Sequence, residues 1–136
     1  AGATVSANES DAAQEQAAFN AALNRFRNAD YAGAQTALRA YLQRYPQGSN
    51  RIDAQHWLGN TEYALRNYSS AITNFRNVVT QAPRHRRAPE ALLSIAASQM
   101  ELKDTAAARK TLEQLITTYP RSEAAQAAQD RLARLR

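Results

Sequence analysis

The chain has 136 residues, a net charge of +5 and no cysteine. These values favour one compact domain, exclude disulfides and thiolate metal sites, and leave the redox compartment open. Thirty residues are alanine, whereas valine and isoleucine together number seven, which favours helix over strand. No apolar run approaches the ~20 residues that a transmembrane helix needs. We therefore predict an all-α domain.

The first ten residues, AGATVSANES, are small, polar and without periodicity. We interpret residues 1–10 as a flexible linker or the trimmed boundary of a longer protein, and residues 11–136 as the folded domain. The first helical pair is expected over about 11–46, with a turn near Asp30 and a stop at Pro46, because proline cannot continue a helix.

A 37-residue period runs through the folded domain, the first helical pair included. Pro46, Pro83 and Pro120 are each one period apart. The same step links three further sets of residues: Ala34, Ala71 and Ala108; Leu38, Phe75 and Leu112; and Tyr41, Val78 and Leu115. The small residues fit a close approach between two helices, and the bulky residues fill the space between units.

The second and third helical pairs are expected over about 50–83 and 88–120. The second turns at Asn67-Tyr68 and the third at Lys103-Asp104, where Asn and Asp are suited to capping the next helix. Ser122 then caps a last helix over 122–135, whose polar side is typical of a terminal capping helix.

The second unit carries the sequence signature of the tetratricopeptide family, with Leu58-Gly59, Tyr68, Ala71, Phe75 and Pro83 in register. Its repeat is three residues longer than the usual 34. In the outer units, Ala21-Ala22 and Ile95-Ala96 replace the Leu-Gly pair. The resemblance implies a right-handed α-α superhelix of three hairpins plus a C-terminal capping helix, acting as a protein-binding module.

Residues 54–60 (AQHWLGN), with Tyr45-Pro46 before them and Tyr63 after them, also resemble the C-terminal domain of the YbgF (CpoB) family. That resemblance implies a periplasmic scaffold of the Gram-negative Tol–Pal system. Its expected roles are to bind TolA and to coordinate peptidoglycan synthesis with outer-membrane constriction during cell division. Further implied partners are a bifunctional peptidoglycan synthase and copies of the chain itself, through an upstream coiled-coil trimer.

Two alternatives remain open. An outer-membrane assembly factor of the lipoprotein type shares the Tyr-Pro repeats. Such a protein would have more repeats and a lipid-modified cysteine, which weighs against it unless trimming has removed both. Nucleic-acid binding would use the arginines, but no aromatic residues interleave Arg84 to Arg87. We interpret that run as a solvated loop between helices that acts through long-range charge.

Catalytic and cofactor motifs are absent from the sequence. His56 and His85 lack metal-ligand spacing, no glycine-rich phosphate loop occurs, and no serine has a neighbouring base. We predict no enzyme activity, no cofactor and no metal.

In tetratricopeptide stacks the first helix of each pair lines the concave face. The 37-residue register places ten candidate protein-binding residues there: Phe19, Phe26, Asp53, His56, Asn60, Tyr63, Glu90, Leu93, Ala97 and Met100. We expect His56, Asn60 and Tyr63 at the centre, since Asn can bind a peptide backbone and Tyr gives apolar contact. A position in the hairpin core is the alternative, most seriously for Leu23 and Phe26. Glu90 stands where a carboxylate clamp would need a cation, so a ligand with an acidic C-terminus is not favoured.

Overall fold

A computed structural model describes the backbone of residues 2–135 and the side chains of residues 10–135. The described residues form seven helices and no strand. These are α1 (Gly2–Arg27), α2 (Tyr31–Arg44), α3 (Arg51–Ala64), α4 (Tyr68–Gln81), α5 (Arg87–Glu101), α6 (Thr105–Thr118) and α7 (Glu123–Arg134). The predicted tetratricopeptide-like architecture of three hairpins and a capping helix is confirmed.

The helix α1 begins much earlier than expected. Its backbone is helical from Gly2, whereas residues 1–10 were expected to lack regular structure. Ala3 and Ala7 favour helix, and no proline interrupts the segment. The absence of hydrophobic periodicity indicates that this segment has no buried face. It does not exclude a helix, because a helix can form without burying one side.

Side-chain caps begin three of the helices. Asp30 accepts a hydrogen bond from the Gly33 amide at the start of α2, and Asp104 and Ser122 cap α6 and α7 in the same way. Asn67 occupies the predicted N-cap position of α4, but its side chain makes no capping bond. The sequence therefore predicted the position of this turn correctly, but the expected capping hydrogen bond to the Asn67 side chain is not formed.

The turn inside each hairpin contains a left-handed residue. Ala29, Arg66 and Lys103 have φ of 61°, 64° and 62° and are one 37-residue period apart. The amide of the residue that follows each of them bonds back to a carbonyl five residues earlier, which is the Schellman arrangement that closes a helix end. The same backbone geometry thus repeats three times without the glycine that usually adopts it.

Small residues bring paired helices close together, as predicted. Ala34, Ala71 and Ala108 are fully buried. A Cβ on Gly59 would lie 2.7 Å from Cε1 of Phe75, so α3 and α4 touch where glycine leaves room for the ring. This contact gives the second hairpin its tight crossing.

The stack has two distinct sides. The odd-numbered helices contact one another directly (α1 with α3, α3 with α5, α5 with α7), whereas α2, α4 and α6 contact only odd-numbered neighbours. We call the exposed side of α1, α3, α5 and α7 the inner face, because closer helices lie on the concave side of a curved stack. The even-numbered helices are separated by furrows.

Candidate protein-binding surface

His56 lies in the core rather than on the groove surface. It is 4% exposed, and its ring meets those of Trp57 and Phe75 edge-on at 5.9 and 5.6 Å between centroids. Asn60 Nδ2 lies 3.4 Å from His56 Nδ1, and Glu90 Oε2 lies 3.8 Å from Nε2. Burial lowers the pKa of His56 to about 4, so the ring is neutral at physiological pH. The expectation that His56 lines the groove is corrected, because α5 and the Phe75 ring cover it.

Arg87 ties α5 to α3 above this histidine. Its Nε donates to Asp53 Oδ1 at 3.0 Å, and its Nη1 donates to Glu90 Oε2 at 2.9 Å. The guanidinium also lies over the Trp57 ring, 5.6 Å from the centroid. The interpretation of residues 84–87 as a loop acting through long-range charge is therefore wrong for Arg87, which begins α5 and is 20% exposed at its side chain. Asp53 and Glu90 are engaged in the same ion-pair network.

The first-unit candidates belong mainly to the hairpin core. Phe19 is 7% exposed and packs against Tyr41 at 5.8 Å between ring centroids. Phe26 is half-buried between Tyr31 and Trp57. Phe19 is therefore a core residue and not a groove residue as expected. Phe26 exposes only part of its ring to a partner.

Asn60 and Tyr63 remain partly accessible on α3. Tyr63 packs edge-on against Tyr68 at 5.2 Å, and its Oη lies 3.5 Å from Glu101 Oε1. Burial and the nearby Glu101 carboxylate raise the pKa of the Tyr63 phenol, so it keeps its proton. A protonated phenol and a free amide edge give this part of the inner face polar contacts beside an aromatic surface.

The third-unit candidates continue this surface toward the C-terminal end. Leu93 is half-buried and packs against the main hydrophobic cluster. Ala97 and Met100 line an open cavity of about 220 Å³, and Met100 is 39% exposed. The other lining residues are Ala96, Leu112, Arg131, Arg134 and Leu135. The cavity has an apolar floor on α5 and α6 and two arginines from α7, and we call it the α5–α7 cavity.

Sequence reasoning missed Arg131 and Arg134, although a signal for them existed. Adding one 37-residue period to Ala97, already a candidate, gives Arg134. The same step from Ser94 gives Arg131. A capping role requires only that α7 cover the last repeat, whereas in the structure it also supplies one wall of the cavity.

A family model described as YfiO, outer membrane lipoprotein, matches residues 11–136. The chain belongs to this family. No curated protein matches the chain. The YfiO family is of the tetratricopeptide-like envelope type, so the match supports a protein-interaction scaffold of the cell envelope. It is the type described by the lipoprotein alternative above, and it does not extend to YbgF identity.

The described residues of this YfiO-family chain form neither a membrane-spanning helix nor a cluster of metal ligands. Across residues 2–135, no helix is both long enough and apolar enough to cross a membrane. Nor do the described His, Asp and Glu residues gather in threes that could hold a metal ion. The inner face and its α5–α7 cavity are the candidate surface for a protein partner, because the cavity combines exposed apolar side chains with two arginines.

Proposed function

We propose that this domain is a cell-envelope scaffold of the outer-membrane lipoprotein type that holds a partner protein segment against its inner face. The anchor point is the α5–α7 cavity, and Asn60 and Tyr63 extend the contact along α3. The observation that carries the proposal is the cavity itself, since it combines an exposed apolar floor with positive charge in a family of interaction scaffolds.

The size of the cavity favours an anchoring side chain over a small-molecule ligand. Cofactor and drug-sized sites usually occupy about 300–1,000 Å³, and this cavity has about 220 Å³. Met100 at its edge is flexible and polarizable, which suits contact with varied apolar side chains. One aliphatic or aromatic residue of a partner fits this description.

The charges at the cavity define what should flank that anchor. Arg131 and Arg134 project from the same side of α7, one turn apart, and both line the opening. Arginine binds carboxylates through paired hydrogen bonds. We therefore infer a segment in which an apolar residue has an acidic neighbour within the sequence, rather than the clamped C-terminal carboxylate discussed above.

Site-specific photo-crosslinking in envelope preparations tests the location. A photoreactive residue at Ala97 should give partner adducts, and one at the exposed Lys110 on α6 serves as a matched control on the opposite side. Adducts at Ala97 should diminish when Arg131 and Arg134 are changed to glutamine. Equal adducts at both positions, or adducts that ignore both arginines, would place the partner elsewhere.

A second candidate function is TolA binding within the Tol–Pal system. It rests on the string at residues 54–60 and on Tyr63, which keeps an accessible ring. Titration of purified TolA tests it directly. We expect Tyr63→Ala to weaken binding by about 1–2 kcal/mol, as an ordinary apolar contact would. A folded domain that shows no TolA affinity would remove this candidate while leaving the crosslinking result intact.

A further inference from the structure

A furrow between α2 and α4 lies on the side of the molecule opposite the inner face. These two helices do not contact each other, so α3 forms the floor between them. The furrow holds an open cavity of about 240 Å³. Its lining residues are Arg39, Leu58, Glu62, Ser70, Thr73 and Asn74.

The floor contains a carboxylate with incomplete hydrogen bonding. Glu62 is 1% exposed, and its Oε1 accepts one hydrogen bond from Arg39 Nη2 at 3.2 Å. Its Oε2 is buried and has no partner. A buried polar atom without a partner is costly and rare in native structures. Glu62 also lies in the last turn of α3, where the helix dipole disfavours a further negative charge.

The third unit shows the same position without this defect. One period after Glu62 stands Gln99, a neutral residue whose Oε1 accepts from Thr111 Oγ1 at 2.7 Å. The residue equivalent to Thr111 in the second unit is Asn74, but its amide is directed elsewhere: Oδ1 accepts from Gln55 at 2.6 Å. The unsatisfied acceptor oxygen of Glu62 is therefore a feature of the second unit and not of the third.

We propose that the furrow is a binding site for a primary ammonium group, presented as a lysine side chain of a partner protein. An ammonium has three N–H donors, and the furrow offers acceptor oxygens on Glu62, Ser70 and Thr73. The Thr73 hydroxyl donates to the Ser69 carbonyl at 3.3 Å, which uses its proton and leaves the oxygen lone pairs to accept. The site lies outside the inner face and does not depend on the proposed function.

The cation fits better than a neutral donor for two reasons. Hydrogen bonds between charged groups are about twice as strong as neutral ones, and the C-terminal end of α3 attracts positive charge. Arg39 helps to cover the buried carboxylate, but its own side chain is 56% exposed and holds the carboxylate through a single nitrogen. It can turn toward solvent as an ammonium takes its place or shares the carboxylate with it.

The test uses n-butylammonium, which reproduces the lysine side chain, in an NMR titration of the isotope-labelled domain. We expect saturable shifts of the Ser70, Thr73 and Asn74 amides, which 1-butanol does not produce. Glu62→Gln keeps the shape and removes the charge, and it should weaken binding by at least about tenfold. Gln99→Ala, at the equivalent position one unit later, should leave binding unchanged.

Two results would overturn the proposal. If 1-butanol shifts the same amides equally, the furrow recognises only an alkyl chain. If Glu62→Gln binds n-butylammonium like the parent protein, Oε2 takes only water. Should Glu62→Gln fail to fold, Ser70→Ala decides instead. It removes one acceptor at an exposed position, and an unchanged affinity in that variant would equally reject the site.

Discussion

Gly59 offers the sharpest test of how the hairpins pack. A Cβ at this position would lie 2.7 Å from Cε1 of Phe75 and 2.8 Å from both Cδ1 and Cζ. Real Cβ atoms do not approach carbon so closely, so the ring must move. Phe75 has no exposed area, and the His56 ring packs against it at 5.6 Å. The ring therefore has no free direction in which to shift.

The net effect of Gly59→Ala follows from two opposing contributions. Alanine favours a helix interior over glycine by about 1 kcal/mol. Overpacking a filled core costs about 1–3 kcal/mol, and three blocked ring atoms place this case at the upper end. We expect Gly59→Ala to lower the free energy of unfolding by about 1–2 kcal/mol, against the direction that helix propensity alone predicts.

Urea unfolding followed by circular dichroism measures this change. Ala40→Gly, at an exposed site within α2, measures the propensity contribution in the same fold and should cost about 1 kcal/mol. Phe75→Leu makes room for the new methyl group. The loss of stability in the double variant should therefore be smaller than the sum of the two single losses, by about 1 kcal/mol or more. If Gly59→Ala is as stable as the parent chain, the close approach does not constrain α3 and α4.

Three further outcomes are expected. Burial lowers the pKa of His56 from 6.5 to about 4. As the pH falls, His56 is therefore protonated in the unfolded state before it is protonated in the folded state. The free energy of unfolding should then fall by up to about 3 kcal/mol from pH 6.5 to pH 4, and this part of the pH dependence should vanish in His56→Leu. Lys103 has a left-handed backbone conformation, which glycine adopts without steric strain. Lys103→Gly should therefore raise the free energy of unfolding by up to about 1 kcal/mol and raise the thermal midpoint with it; a lower midpoint would contradict this. Arg87→Ala should cost about 1–2 kcal/mol in urea unfolding, whereas the exposed Arg84→Ala should stay within about 0.5; equal effects would deny Arg87 its structural role.

The architecture was predictable because several local signals agreed. The 37-residue period, the prolines after α2, α4 and α6, and the capping residues Asp104 and Ser122 all indicate the same boundaries. The buried alanines at 34, 71 and 108 follow from that register. Agreement between propensity, turn chemistry and hydrophobic pattern is what makes a fold readable from its sequence.

The binding surface was less predictable because it depends on contacts between units. Register alone places His56 on the inner side of α3, but only the path of α5 determines that it is covered. Arg87 resembled the two neighbouring loop arginines, Arg84 and Arg86, in the sequence, whereas in the structure it bonds to Asp53, which is 34 residues earlier. Glu62 lies four residues after Leu58 on α3, but its charge is typical of a surface position. Such tertiary contacts are not encoded in any single helix.

These contacts also explain why the candidate site lies toward the C-terminal end. Where the second and third units meet, the candidate residues Asp53, His56 and Glu90 already contact one another or Arg87, so a partner would have to break those contacts. The α5–α7 cavity requires no such exchange, because its floor is apolar. The helix α7 packs on α5 and α6, and its Arg131 and Arg134 line the opening of the cavity. The ion-pair network therefore occupies the centre of the inner face, which is why we propose that a partner binds at the cavity between the last repeat and the capping helix.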